Sequence, residues 1–152
     1  MTRGTMAGMT YYVDVPLRWG DMDAYGHVNN VTYLQYLEEA RIGAFTQWFG
    51  DSDPVASGCV VARSEIEYLR PLEHRAEPLR IELWVSDIKG ASFDVDYVLR
   101  DPDGVGDIVY AKATSTLVMY DLPTGTPRRI TAGQRAALAA QTGEPVDLRS
   151  RR

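Results

Sequence analysis

Val31-Thr-Tyr-Leu-Gln-Tyr-Leu-Glu-Glu-Ala-Arg-Ile-Gly-Ala-Phe-Thr-Gln-Trp-Phe49 is the stretch on which the fold turns. Its apolar residues Val31, Leu34, Leu37, Ala40, Ala44 and Trp48 fall at steps of three and four, a spacing that predicts one face of a long helix. Tyr33, Tyr36, Ile42 and Phe45 add apolar surface on the other sides, so the helix is expected to be buried over most of its circumference. Gly43 costs about 1 kcal/mol relative to Ala inside a helix. It is therefore expected where another backbone comes close. Gly50, Asp51, Ser52, Asp53 and Pro54 supply the stop.

Beyond this helix the period changes from 3.6 to 2. Val60, Ala62, Ser64, Ile66 and Tyr68 alternate with Val61, Arg63, Glu65, Glu67 and Leu69. The runs Leu79–Ser86 and Ser92–Leu99 alternate in the same way, and each reads as a strand with one buried face. Asp101-Pro-Asp-Gly104 fits a tight turn into a last strand from Asp107 to Asp121. Upstream, residues 11 to 18 form a further strand with Pro16 at its end. Thr131 with Gln134 three residues on is a capping-box pattern for a short second helix, which Gly143 is expected to terminate. One long helix with consecutive amphipathic strands is an α+β pattern: a central helix wrapped by a curved, mainly antiparallel, five-stranded sheet. The outer sheet face carries Trp84, Arg63 and Glu65, a mixture that points to an oligomer interface. Residues 11–142 are expected to form one domain, with 1–10 a mobile tail and 143–152 a flexible one too poor in apolar residues to fold by itself.

Composition closes several doors. The chain has 152 residues, 45% hydrophobic and 24% charged, enough for a core without staples. Its lone Cys59 excludes a disulfide framework and suits a reducing compartment. No window approaches a membrane span, and the first ten residues lack the apolar run of a secretory signal, so a cytoplasmic location is expected. A formal charge of −5 disfavours a general nucleic-acid or membrane role. No metal-ligand spacing, phosphate-binding glycine loop or nucleophile elbow is present, and no cofactor or metal is expected.

The densest polar cluster, Asp21, Asp23, His27, Asn29 and Asn30, lies immediately before the long helix. A helix start presents unpaired N–H groups and partial positive charge, so carboxylates and an imidazole there can form an acid/base apparatus beside an oxyanion hole. Plain N-capping accounts for one Asp or Asn. Two carboxylates, a His and two Asn exceed what one cap needs.

The stretch from Arg18 to Arg41, RWGDMDAYGHVNNVTYLQYLEEAR, resembles the signature of hotdog-fold acyl-CoA thioesterases of the 4-hydroxybenzoyl-CoA thioesterase type. The likeness continues through Ile66–Pro71, Gly90–Phe93 and Asp121–Gly125. The resemblance implies a hotdog fold, a homodimer or dimer of dimers (a homotetramer) with sites between subunits, and hydrolysis of an acyl-CoA, or of an acyl carrier protein thioester. It implies that Asp23 is the catalytic carboxylate, either nucleophile or general base, and that the backbone N–H of Asn30 polarises the thioester carbonyl. His27, where the family's prototype is apolar, either orients Asp23 or a water or makes a structural hydrogen bond. Asp21 is read as structural. Lys89 and Ser92 match positions near the family's nucleotide site, with Arg63, Arg70 and Arg75 as alternative phosphate contacts. Glu38, Glu39 and Arg41 are expected as surface charges or interface pairs, His74 as solvated and Cys59 as a small buried side chain. Two other readings stay open: a hydratase or dehydratase acting on an acyl thioester, and a non-catalytic acyl binder whose Asp23 only caps the helix.

Overall fold

The structure, a computed structural model, describes residues 2–4, 10–50 and 58–152. The expected helix stop at residues 51–54 and most of the expected N-terminal tail lie outside the described residues. Strands β1 (Thr2–Gly4) and β2 (Tyr11–Val15) are followed by a 3-10 turn at Trp19–Asp21 and helix α1 (Asn30–Phe49). Then come β3 (Cys59–Tyr68), β4 (Leu79–Ile88), β5 (Ser92–Arg100), β6 (Val109–Asp121), β7 (Thr126–Pro127) and helix α2 (Ala132–Ala139). The sheet order is β1-β2-β4-β5-β6-β3, antiparallel throughout, with β7 beside β6. The five expected strands are its body; the short β1 and β7 are additions that composition did not mark.

α1 packs across β2 and β4 on the concave side. Leu37, Ala40, Ala44 and Phe45 meet Ile81, Leu83, Val95 and Tyr97, all fully buried or nearly so. Each large apolar side chain so buried is worth about 1.5–3 kcal/mol. Gly43 is buried on the same helix. The buried stripe is rotated from the one that spacing picked out: Val31 is 61% exposed and Leu34 and Ile42 are also open, while Tyr33 and Tyr36 point inward. A helix with apolar residues on every side leaves the choice to partners, and Tyr36 can be buried because its hydroxyl donates to Asp21.

Two further expectations are corrected at the sheet. A bulge between Val61 and Arg63 shifts the alternation of β3, so Val61 (opposite Leu117) shares the inner face with Ser64 (opposite Ser115) and Ile66 (opposite Ala113). That inner face is not covered as expected: Val61, Ser64 and Tyr68 remain exposed. On the outer face, Trp84 is occupied by this chain's own C-terminal segment. Its indole N–H donates to the Glu144 carbonyl at 2.8 Å, and Gly143 lies so close that a Cβ would fall 2.8 Å from the ring. Gly143 is thus a close-approach residue and not the stop of α2, which ends earlier. Residues 144–152 continue along the sheet, with Val146 and Leu148 buried and the fully buried Asp96 accepting from the Val146 N–H and the Arg151 guanidinium, each at 2.8 Å.

Candidate active site

The chain between β2 and α1 is built on carboxylates. Arg18 and Asp21 bracket the 3-10 turn: the Asp21 carboxylate accepts from the Arg18 N–H and guanidinium and from the Tyr36 hydroxyl at 2.7 Å. Its main-chain carbonyl accepts from the Asn29 N–H at 2.9 Å, which fixes the start of α1. Burial by itself raises the Asp21 carboxyl. The bonds from Tyr36 and Arg18 outweigh that and hold it below its ordinary value of 3.8. Tyr36 in turn is driven strongly upward, first by burial and then by Asp21. Asp21 is therefore a structural anion, as its sequence position suggested.

Asp23 is held differently. Its N–H donates to the His27 carbonyl at 2.7 Å, Gly26 takes φ +74° inside the turn, and Oδ1 accepts from the N–H groups of Tyr25 (2.8 Å) and His27 (3.2 Å). One carboxylate oxygen is thereby fixed. Oδ2 has no hydrogen-bond partner among the described residues. Val28 N–H to the Leu72 carbonyl, and a bridge between His27 and Glu73, tie this turn to the segment after β3.

The helix cap is Asn29, not Asn30 or either Asp: its Oδ1 accepts from the Val31 N–H at 3.0 Å, and its carbonyl accepts from Thr32. Asn30 is the first helical residue, and its N–H has no acceptor among the described residues, as a first-turn amide with no preceding turn must. The Asn30 carbonyl accepts from the Tyr68 hydroxyl at 3.0 Å, and the Tyr68 ring meets Tyr33 edge-on at 5.2 Å. Asp23, His27, Asn30, Tyr33, Tyr68 and Arg70 are among the residues lining one pocket of about 300 Å³. Burial, with Tyr68 and Tyr110 nearby, pushes Tyr33 up to about 12, and burial also raises Tyr68. Both phenols therefore stay neutral near neutral pH. Asp23 is the only carboxylate among the residues lining this pocket.

The structure thus brings Asp23, His27 and Asn30 together. The His27 side chain makes no hydrogen bond among the described residues; its link to Asp23 runs through its main-chain N–H. Lys89 and Ser92 stand apart, on the turn joining β4 to β5, where the Lys89 N–H donates to the Ser92 carbonyl. Ser92 pairs with Val118 near the Cys59 end of β3, whereas Tyr68 marks the pocket at the other end. The length of β3, about 30 Å at 3.3 Å per residue, separates the two within one chain. Arg75 is engaged by Asp101, Tyr110 and Pro78, and Arg63 by Glu65, so neither is a free phosphate contact. Arg70 remains, with no ion pair among the described residues, at the pocket itself. Arg41 corrects its expectation: it is 8% exposed and donates to the Tyr97 hydroxyl at 3.1 Å, while Glu38 and Glu39 are exposed. Sequence reasoning missed the tyrosines of the pocket, because Tyr33 and Tyr68 read as apolar periodicity and their meeting needs β3 to return beside α1.

A long helix wrapped by an antiparallel sheet is the architecture of a class of thioester hydrolases. The chain belongs to the thioesterase-like superfamily, whose family model matches residues 17–147. It is 32% identical over 116 residues to the long-chain acyl-CoA thioesterase FadM of Escherichia coli (strain K12), covering 72% of this chain and 83% of that one. It is 32% identical over 95 residues to the uncharacterized protein YsmA of Bacillus subtilis (strain 168), covering 62% of this chain and 64%, less than two thirds, of that one. The structure of a thioesterase from Thermus thermophilus complexed with coenzyme A and Zn superposes with a TM-score of 0.75 at 28% identity, over 89% of this chain and 96% of that one.

The Asp21 node has a measurable signature. A carboxyl whose folded pKa lies below its unfolded value stabilises the fold above that unfolded value and loses the contribution as pH falls through the folded one. In urea melts, the stability gap between wild type and Asp21→Asn is full at neutral pH and shrinks below about pH 4. A gap independent of pH down to about 2 contradicts the assignment.

Proposed function

We propose that the protein is an acyl-CoA thioesterase, releasing a free carboxylic acid and coenzyme A, with Asp23 as nucleophile or general base and the Asn30 N–H as oxyanion donor. The observation that carries this reading is the pairing of the free Asp23 Oδ2 with the unpaired Asn30 N–H in one pocket. The thioester oxygen accepts from Asn30. Attack at the carbonyl carbon places negative charge on that oxygen, and a fixed donor at the positive end of α1 gains strength as the charge grows. Asp23 either adds to the carbonyl itself, forming an anhydride that water opens, or takes a proton from the attacking water; in both cases the C–S bond breaks and coenzyme A leaves as the thiol. The long-chain acyl-CoA thioesterase activity of FadM and the coenzyme A bound to the Thermus protein support this substrate class.

The working unit on this reading is a homodimer or a dimer of dimers. β3 is an edge strand with Val60, Val61, Tyr68 and Leu69 exposed, and α1 presents Val31, Leu34 and Ile42 nearby. Such an edge and apolar surface suit a second copy. That copy would bring its Lys89 and Ser92 to coenzyme A, with Arg70 of the first as a further phosphate contact. His27 serves as a secondary group orienting Asp23 or a water.

A thiol-release screen across saturated and aromatic acyl-CoAs tests the activity. Asp23→Asn folds and lowers turnover by ~10²–10⁴, the range for an acid/base residue, and His27→Ala costs less. Turnover at wild-type level with Asp23→Asn would overturn the mechanism. Asn30 separates side chain from main chain. Asn30→Ala keeps the donor and much of the activity, with no capping loss since Asn29 is the cap. Asn30→Pro removes the N–H at a first-turn position that accepts proline, after an Asn29 already extended at φ −61° and ψ 137°, and costs ~10²–10³ in kcat. Equal turnover by the two folded variants dismisses the oxyanion assignment. Light scattering at micromolar concentration reads a dimer or larger; a fully active monomer contradicts the shared site.

A further inference from the structure

Arg41 has no role in the chemistry above, and its surroundings ask for one. Asn30, Leu34 and Arg41 follow one another at four and seven residues along α1 and so share one stripe. That stripe and the inner face of β3 run side by side and line two pockets at the edge where a second copy would pack: Asn30 and Tyr68 share the one of about 300 Å³ with Asp23, and Leu34, Glu38 and Arg41 share one of about 340 Å³ with Val61, Arg63 and Ser64 further along. Beside the second pocket lie three hydroxyls, those of Tyr97 and Ser115 buried and that of Ser64 at the surface. Arg41 donates to the Tyr97 hydroxyl, and Ser115 pairs with Ser64 at 2.9 Å.

An arginine more than nine-tenths buried normally has a carboxylate beside it, because burying an uncompensated charge is costly. Arg41 has none within 4.0 Å among the described residues; its one hydrogen bond is to a neutral phenol. Glu38 lines the same pocket without pairing to it, and Arg63, also there, is occupied by Glu65. The remaining N–H groups of Arg41 lack an acceptor that a ligand can supply.

We propose that Arg41 is a specificity-determining residue that takes the terminal carboxylate of an ω-carboxyacyl thioester whose reacting end lies at Asp23 and Asn30. This rests on the thioesterase reading. The reaction is ordinary hydrolysis: water adds to the thioester carbon, the C–S bond breaks, the thiolate takes up a proton, and the products are a dicarboxylic acid and coenzyme A. The helix rise sets the length of the chain. Asn30 and Arg41 are about 16 Å apart along α1 at 1.5 Å per residue, less a few ångströms because helical side chains lean toward the N-terminus. An extended chain advances about 1.2 Å per bond, so the span between the two pockets fits a diacid of roughly 8–12 carbons.

The test compares sebacoyl-CoA with decanoyl-CoA, equal in length and differing in the terminal carboxyl. Wild type prefers sebacoyl-CoA in kcat/KM, and Arg41→Met lowers the sebacoyl-to-decanoyl ratio by ~10–100-fold, mostly through KM, with partial recovery in Arg41→Lys. Ser64→Asp, at an exposed position across the second pocket, sets a competing carboxylate before Arg41 and lowers the same ratio without removing it. This keeps the question answerable if Arg41→Met does not fold by circular dichroism. Wild type that shows no preference for sebacoyl-CoA overturns the proposal. So does an equal loss on both substrates with a shift to monomer mass, since Arg41 would then pair with a carboxylate of a second copy. If no acyl-CoA is hydrolysed, the thioesterase reading fails by itself, and calorimetric titration with sebacate decides the site: binding weakened at least tenfold in Arg41→Met upholds it, and no binding by wild type rejects it.

Discussion

Asp21 sits where three parts of the chain meet. Its carboxylate takes hydrogen bonds from Arg18 on the incoming strand side and from Tyr36, two turns into α1, while its carbonyl holds the N–H of the capping Asn29. Removing this buried acceptor leaves the buried Tyr36 hydroxyl without its partner, at a cost of about 1–3 kcal/mol. The turn from Asp23 to His27 is strung between that node and Val28, which is tied to Leu72. The positions of the Asp23 carboxylate and the Asn30 amide therefore descend from one buried anion that is not among the residues lining their pocket.

Much of this was legible in the sequence, and the residues show why. The strands were readable because period-two alternation survives wherever one face of the sheet is covered, as in Leu79, Ile81, Leu83 and Val85. The α2 cap was readable because Thr131 and Gln134 bond to each other's main chain, a contact of sequence-local geometry. The cluster before α1 was readable because helix starts attract the same few residue types. What escaped were contacts between distant segments. Which side of α1 faces inward depends on Asp21 accepting from Tyr36, and the bulge in β3 has no residue signature. Residues 144–152 looked too polar to dock, yet Asp96 and Trp84 on the sheet supply partners that their own composition does not announce.

The two pockets between α1 and β3 link the two halves of the molecule's chemistry. At one end the groups are those that any thioester requires: a donor for the carbonyl oxygen and a carboxylate. At the other, the buried Arg41, Tyr97 and Ser115 with the surface Ser64 form a polar patch at the edge of an apolar core. On the proposed reading, reaction and selectivity fall to different turns of one helix, so either end can vary in sequence without moving the other.

The place of β3 in the sheet also governs how the chain reaches this shape. β3 is made before β4 and β5 yet pairs with neither; its partner is β6, beyond both. At roughly 5–20 residues per second on a ribosome, its apolar residues wait on the order of seconds without a neighbouring strand. Pairings this distant in sequence slow folding and prolong the life of an unpaired edge. β3 is thus made early and secured late, and the interval before β6 arrives is when nascent chains are most open to sticking to one another or to being held by a chaperone.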